Sequence, residues 1–134
     1  MRHSLIAITL SVFLLSCTRV GSDSDIPGRY EVVYAGGGLV LDVRADRTYL
    51  ETARAAKSLD RRVAGAWKLL PGCVSFDVLI IPSEVIPEAG RTGPTLSQTP
   101  ATPNWCLPAV RVLGGTRLEV NPDRDMAFNA VGAK

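Results

Sequence analysis

The sequence predicts an all-β domain: a small antiparallel meander forming a barrel or sandwich of about seven to eight strands, with one long Pro-rich loop. Three observations lead there. Short runs of β-branched, aromatic and leucine residues recur along the chain, separated by Gly, Pro and Asx turn residues. Several runs alternate apolar and polar side chains with the two-residue period of a half-buried strand. Beyond the first seventeen residues no stretch sustains the 3.6-residue apolar period of a packed helix.

Gly28–Tyr34 (GRYEVVY) is rich in β-formers and stops at the turn Gly36-Gly37-Gly38. Leu39, Leu41 and Val43 then alternate against Val40, Asp42 and Arg44. Ala45-Asp46-Arg47 reverses the chain into Thr48–Thr52. Residues 53–62 favour a polar hairpin loop, although Ala53, Ala56 and Leu59 also fit one face of a short helix. Ala66–Leu70 reads as a strand and Pro71-Gly72 as a turn. Cys73–Ile81 is the most buried strand, with Val74, Phe76, Val78 and Ile80 sharing a face. Pro82–Pro103 carries five of the nine prolines, and proline lacks the N–H a central strand donates. Strand signals resume at Val110–Leu113, Thr116–Val120 and Met126–Val131, divided by Gly114-Gly115 and Asn121–Asp125.

The amino terminus is of a different kind. Met1-Arg2-His3 is basic, and Leu5–Leu15 is apolar apart from Thr9 and Ser11. Eleven residues rise only about 17 Å as a helix, short of the roughly 30 Å of a bilayer core, so the run suits a cleaved leader. It closes on Leu14-Leu15-Ser16-Cys17. This tetrapeptide resembles the lipobox of bacterial prolipoproteins. An ordinary leader site wants small residues at −3 and −1, whereas Leu14 is large. The resemblance implies cleavage before Cys17, acyl chains on that cysteine, and a membrane held through them. Thr18 is not an acidic retention signal, which in a Gram-negative cell implies the inner leaflet of the outer membrane, facing the periplasm. The expected organisation is a signal peptide over 1–16, a lipidated Cys17 with its tether over 17–27, and one β domain over 28–134 containing the flexible loop 82–103.

With Cys17 assigned to lipid, Cys73 and Cys106 remain as an even pair and should bond in an oxidising envelope. A simple hairpin of Cys73–Ile81 on Cys106–Leu113 sets Cys106 opposite Leu79, so the bond demands another strand order or a bent loop end. Neither cysteine belongs to a C-x-x-C motif, which argues against redox work.

Composition narrows the function. The formal charge of +2 becomes +1 when Arg2 leaves with the leader, too little for a nucleic-acid partner. The only histidine, His3, leaves as well, which removes Ser–His, Cys–His and His–zinc chemistry. Arg44, Arg47, Arg54, Lys57, Arg61 and Arg62 interleave with Asp42, Asp46, Glu51 and Asp60 as a mixed, solvated surface. Gly36-Gly37-Gly38 lacks the ending of a phosphate loop, and Asn121-x-Asp123-x-Asp125 lacks the later glycine and glutamate of a calcium loop. The pairs Asp42/Asp46 and Glu84/Glu88 read as solvated charge. No enzyme, metal or cofactor is expected.

Candidate binding residues are Trp67, Phe76 and Trp105. Trp67 and Phe76 lie on expected core positions. Trp105 leaves the Pro-rich loop beside Cys106, where an indole either caps the core or anchors a partner. Gly28-x-Tyr30, Asp46-Arg47-Thr48-Tyr49 and Gly65-Ala66-Trp67 together are similar in rhythm to the lipocalin-like domains of small envelope lipoproteins, although those begin Gly-x-Trp. That resemblance implies a meander and an internal cavity. Two functions follow as expectations. One is a non-catalytic module that meets an envelope protein or wall component; the alternative is a carrier of a small apolar ligand behind Trp67 and Phe76.

Overall fold

The computed structural model describes residues 20–34, 37–55, 59–81, 99–113, 115–121 and 126–132. Cys17 and the leader, Gly36, Lys57, Glu84, Glu88, most of the Pro-rich stretch and residues 122–125 lie outside them. The fold is all-β. Among the described residues a short 3-10 turn, Asp23–Asp25, precedes nine strands: β1 Gly28–Tyr34, β2 Gly37–Val43, β3 Thr48–Ala55, β4 Arg61–Leu70, β5 Cys73–Ile80, β6 Ala101–Leu107, β7 Ala109–Val112, β8 Gly115–Asn121 and β9 Met126–Ala130.

All pairings are antiparallel, in the order β6-β5-β4-β3-β2-β1-β9-β8-β7. The two edge strands, β6 and β7, are separated in the chain by Pro108 alone. Proline cannot donate to a ladder, so the strand bends there. Its first half pairs with β5 and its second with β8, while the Pro108 carbonyl accepts from the Glu119 N–H at 2.8 Å. The sheet thereby curls into a nearly closed barrel and leaves little open edge.

The inward phase of each strand builds the core. Tyr30, Leu39, Leu41, Tyr49, Phe76, Ile80, Leu107, Leu118 and Phe128 are all essentially inaccessible. Each such large apolar side chain contributes about 1.5–3 kcal/mol by leaving water. Tyr49 meets Phe76 edge to face, centroids 5.1 Å apart.

Several boundaries differ from expectation. β3 runs to Ala55 and β4 starts at Arg61, so both ends of the 53–62 stretch are strand rather than loop, and its described part contains no helix. β6 starts at Ala101 and so takes in Ala101–Pro103, the last three residues of the expected loop. Pro103 is tolerated because β6 is an edge strand whose outer side has no ladder. This earlier start resolves the cysteine register. Cys106 faces Ser75, two residues from Cys73 on the same face, and the sulfurs are bonded diagonally across a Cα separation of 5.5 Å.

Candidate functional site

Two places in the barrel gather polar chemistry. The first is the end where β1 begins, together with the turns 44–47 and 71–72 and the close of β7 at Val112. The segment expected to be a tether behaves otherwise from Val20 onward: it is a strap packed across this end. The Val20 N–H donates to the Ala109 carbonyl at 3.2 Å, and Ile26 is wholly buried. The Tyr30 hydroxyl donates to the Ile26 carbonyl at 2.5 Å, and Thr116 Oγ1 donates to the Asp25 carbonyl at 2.9 Å. Burial raises the Tyr30 hydroxyl to about 12; its hydrogen bond with Thr116 opposes the rise and the Asp25 charge adds to it. Tyr30 is therefore a neutral structural donor at ordinary pH.

Arg47 ties strap to barrel. Its guanidinium pairs with Asp23 and lies over the Trp67 ring, 4.7 Å from the centroid. Arg47 has a φ of 73°, a left-handed conformation, within a turn fixed by Asp46. Asp46 Oδ1 accepts from the Thr48 hydroxyl at 2.6 Å and the Thr48 N–H at 3.0 Å, and these bonds hold its carboxyl below the usual range. Trp67 Nε1 donates to the Arg44 carbonyl at 2.8 Å. Between strap and barrel runs a surface groove of about 470 Å³, bordered by Pro27, Arg29, Arg111, Val112, Thr116 and Val131.

The second place is a seam where β4 and β5 part. Their ladder ends at Trp67↔Phe76, yet β5 continues to Ile80. Side chains of β3 replace the missing partner. The Tyr49 hydroxyl donates to the Val78 carbonyl and accepts from the Val78 N–H at 2.8 Å. Glu51 Oε2 accepts from the Ile80 N–H at 2.7 Å, and Asp77 Oδ2 accepts from the Ala66 N–H at 2.8 Å. Gly65 makes the crossing possible, because a Cβ there would lie 2.9 Å from the Tyr49 hydroxyl oxygen. Burial raises the Tyr49 hydroxyl too.

Glu51 corrects the sequence reading, which counted it among solvated charges. It is 0 % exposed, and its Oε1 has no hydrogen-bond partner among the described residues. Burial lifts its carboxyl to about 8 against the opposing pull of the Ile80 N–H and the Arg61 charge. The signal was present: Tyr49, Glu51 and Ala53 share the inward phase of one strand.

The residues proposed from sequence are dispersed. Trp67 and Phe76 are core, 3 % and 1 % exposed. Trp105 faces Phe76 across the β5–β6 ladder and packs half-buried against the core, with Nε1 2.9 Å from Thr102 Oγ1. Cys73 and Cys106 staple β5 to β6, and Cys17 lies outside the described residues. Sequence reasoning missed Glu51, Tyr49 and the strap. Among the described residues, no nucleophile, base and acid come together at either place. No protein-family model, curated protein or solved structure matches this chain.

Proposed function

We propose that this chain is a non-catalytic lipoprotein of the bacterial envelope, anchored through Cys17, whose barrel is a binding module for an envelope protein or wall component. One observation carries the module reading over the carrier reading: the barrel interior is filled. Leu41, Val74, Phe76, Leu79, Ile80, Leu118 and Phe128 are all 0–1 % exposed. Side chains lining an empty ligand cavity would keep surface accessible to a water-sized probe, and these keep almost none. A small apolar ligand behind Trp67 and Phe76 would have to displace packed side chains.

The topology supports a division of labour between the ends. The strap leads toward Cys17 at one end. Ile81 and Thr99, between which the Pro-rich stretch leaves and re-enters, sit at the other, since Ile80 pairs with Ala101 there. A partner can thus be met on the side away from the anchor.

Two measurements test the proposal. Palmitate labelling of the full chain is expected to vanish in Cys17→Ser, and label that persists in the variant overturns the anchor. Native mass spectrometry of the barrel released from its anchor is expected to give an unliganded protein two hydrogens lighter than the reduced chain. A small molecule that co-purifies and leaves only on denaturation overturns the module reading in favour of the carrier.

A further inference from the structure

The exposed large apolar residues are unevenly placed. Among the described residues, Leu70, Val112, Leu113 and Val131 lie at the strap end, and Val33 and Leu59 at the other. Leu113, at the tip of the β7–β8 hairpin, is 102 % exposed. Val112 pairs with Gly115, whose absent side chain leaves Val112 and Val131 flanking it along the same groove. A hairpin tip with no demand from its own core has no folding reason to be Val-Leu rather than polar.

Two arginines border these residues. Arg29 and Arg111 line the groove with side chains about half exposed. Arg29 uses Nε on Glu31 and Nη1 on Asp42, and Arg111 uses Nη2 on Asp25. Each guanidinium has five N–H donors, so donors remain for a further anion.

We propose that the strap end is a docking surface for a phospholipid bilayer: Val112, Leu113 and Val131 enter the acyl boundary while Arg29 and Arg111 meet head-group phosphates. The inference rests on the lipoprotein reading. It follows from where the anchor would attach. Val20 is bonded to Ala109 at the base of β7, and Cys17 is three residues earlier, a reach of at most about 11 Å. From Ala109 to Leu113 along β7 is about 13 Å. If residues 17–19 run toward the tip, an acylated Cys17 comes nearly level with Leu113, so that anchor and apolar tip meet one bilayer. Apolar side chains with basic neighbours suit that interface, the apolar part below the head groups and the cations among them. The barrel then stands upright, with Ile81 and Thr99 on its far end.

The test uses the full chain made in a bacterium from its own leader, with a photoreactive benzoylphenylalanine at Leu113, at Val131 or, as control, at Leu59. Cells are fed radioactive phosphate or palmitate, irradiated, and the protein is purified. The acyl anchor carries no phosphate, so phosphate label enters only through a cross-linked phospholipid. The expected result is palmitate in all three variants and at least ten-fold more phosphate label at positions 113 and 131 than at 59. Palmitate with equal phosphate label at all three positions overturns docking and leaves the anchor standing. Cross-linking of position 113 to a protein instead of lipid also overturns it. Absence of palmitate from every variant defeats the anchor and the docking surface together.

Discussion

Replacing Glu51 by Gln should make this protein more stable near neutral pH, although it removes a hydrogen-bonded carboxyl group from the core. Glu51 is wholly buried and its carboxyl is raised from 4.5 to about 8. Between those values the folded chain keeps a proton that the unfolded chain releases, so stability falls as pH rises and levels off above about 8. Each unit is worth about 1.4 kcal/mol. At pH 7 the native protein carries a penalty on the order of 3 kcal/mol that is absent at pH 4.5. In Glu51→Gln the amide oxygen still accepts from the Ile80 N–H, the amide nitrogen takes the place of the protonated oxygen, and nothing titrates. The variant should match the native protein near pH 4.5 and exceed it by about 3 kcal/mol at pH 7, a rise in Tm on the order of 10 °C. Urea unfolding at pH 5, 6, 7 and 8, followed by Trp fluorescence, reads this directly. Because the other titrating groups are common to both proteins, they cancel in the difference. Two curves that stay parallel across the range would refute the argument and place the charge of Glu51 in the folded state at neutral pH.

The seam and the staple yield further expectations. Tyr49→Phe leaves the Val78 N–H and carbonyl without the hydroxyl and should cost about 1–3 kcal/mol in denaturant unfolding. Gly65→Ala should destabilise because its Cβ falls against that hydroxyl and against Asp77; added to Tyr49→Phe, which relieves only the hydroxyl, it should cost less, a coupling that a double-mutant cycle measures. Thiol titration of the denatured, unreduced protein should find Cys73 and Cys106 both blocked, and reduction should cost about 3–4 kcal/mol for a loop of 33 residues.

The all-β meander and most strand positions were legible because period-2 patterning and turn residues are local signals. What escaped was non-local. Pro103 and its neighbours read as loop because proline forbids a central strand, and only the strand order shows that β6 is an edge. The 20–27 segment read as a tether because Ser22, Asp23, Ser24 and Asp25 are polar; its burial turns on Val20 and Ile26, two isolated apolar residues whose partners are distant in sequence. Glu51 was misread for the opposite reason. Its strand phase pointed inward, but a carboxylate among arginines suggests solvent, and the compensating Ile80 N–H comes from a strand 29 residues away. The predicted bond between Cys73 and Cys106 rested on parity, whereas its geometry had to await the register of β5 on β6.

The seam also bears on how the module reading relates to the lipocalin-like rhythm. A barrel that takes ligands needs an unfilled interior and a mouth between strands. This chain has the strand parting, between β4 and β5, but it spans the gap with Tyr49, Glu51 and Asp77 and the filled interior lies behind them. The Arg61 guanidinium reaches the Thr99 carbonyl from the start of β4, tying the parted strands to the point where the chain returns from the Pro-rich stretch. Glu51 lies within the same electrostatic neighbourhood as Arg61. Loss of its proton therefore places charge behind Ile81 and Thr99, between which that stretch leaves and returns. The buried carboxyl thus belongs to the seam and the Arg61–Thr99 tie beside it rather than to a ligand pocket, and Glu51→Gln should stiffen that end without emptying or opening the core.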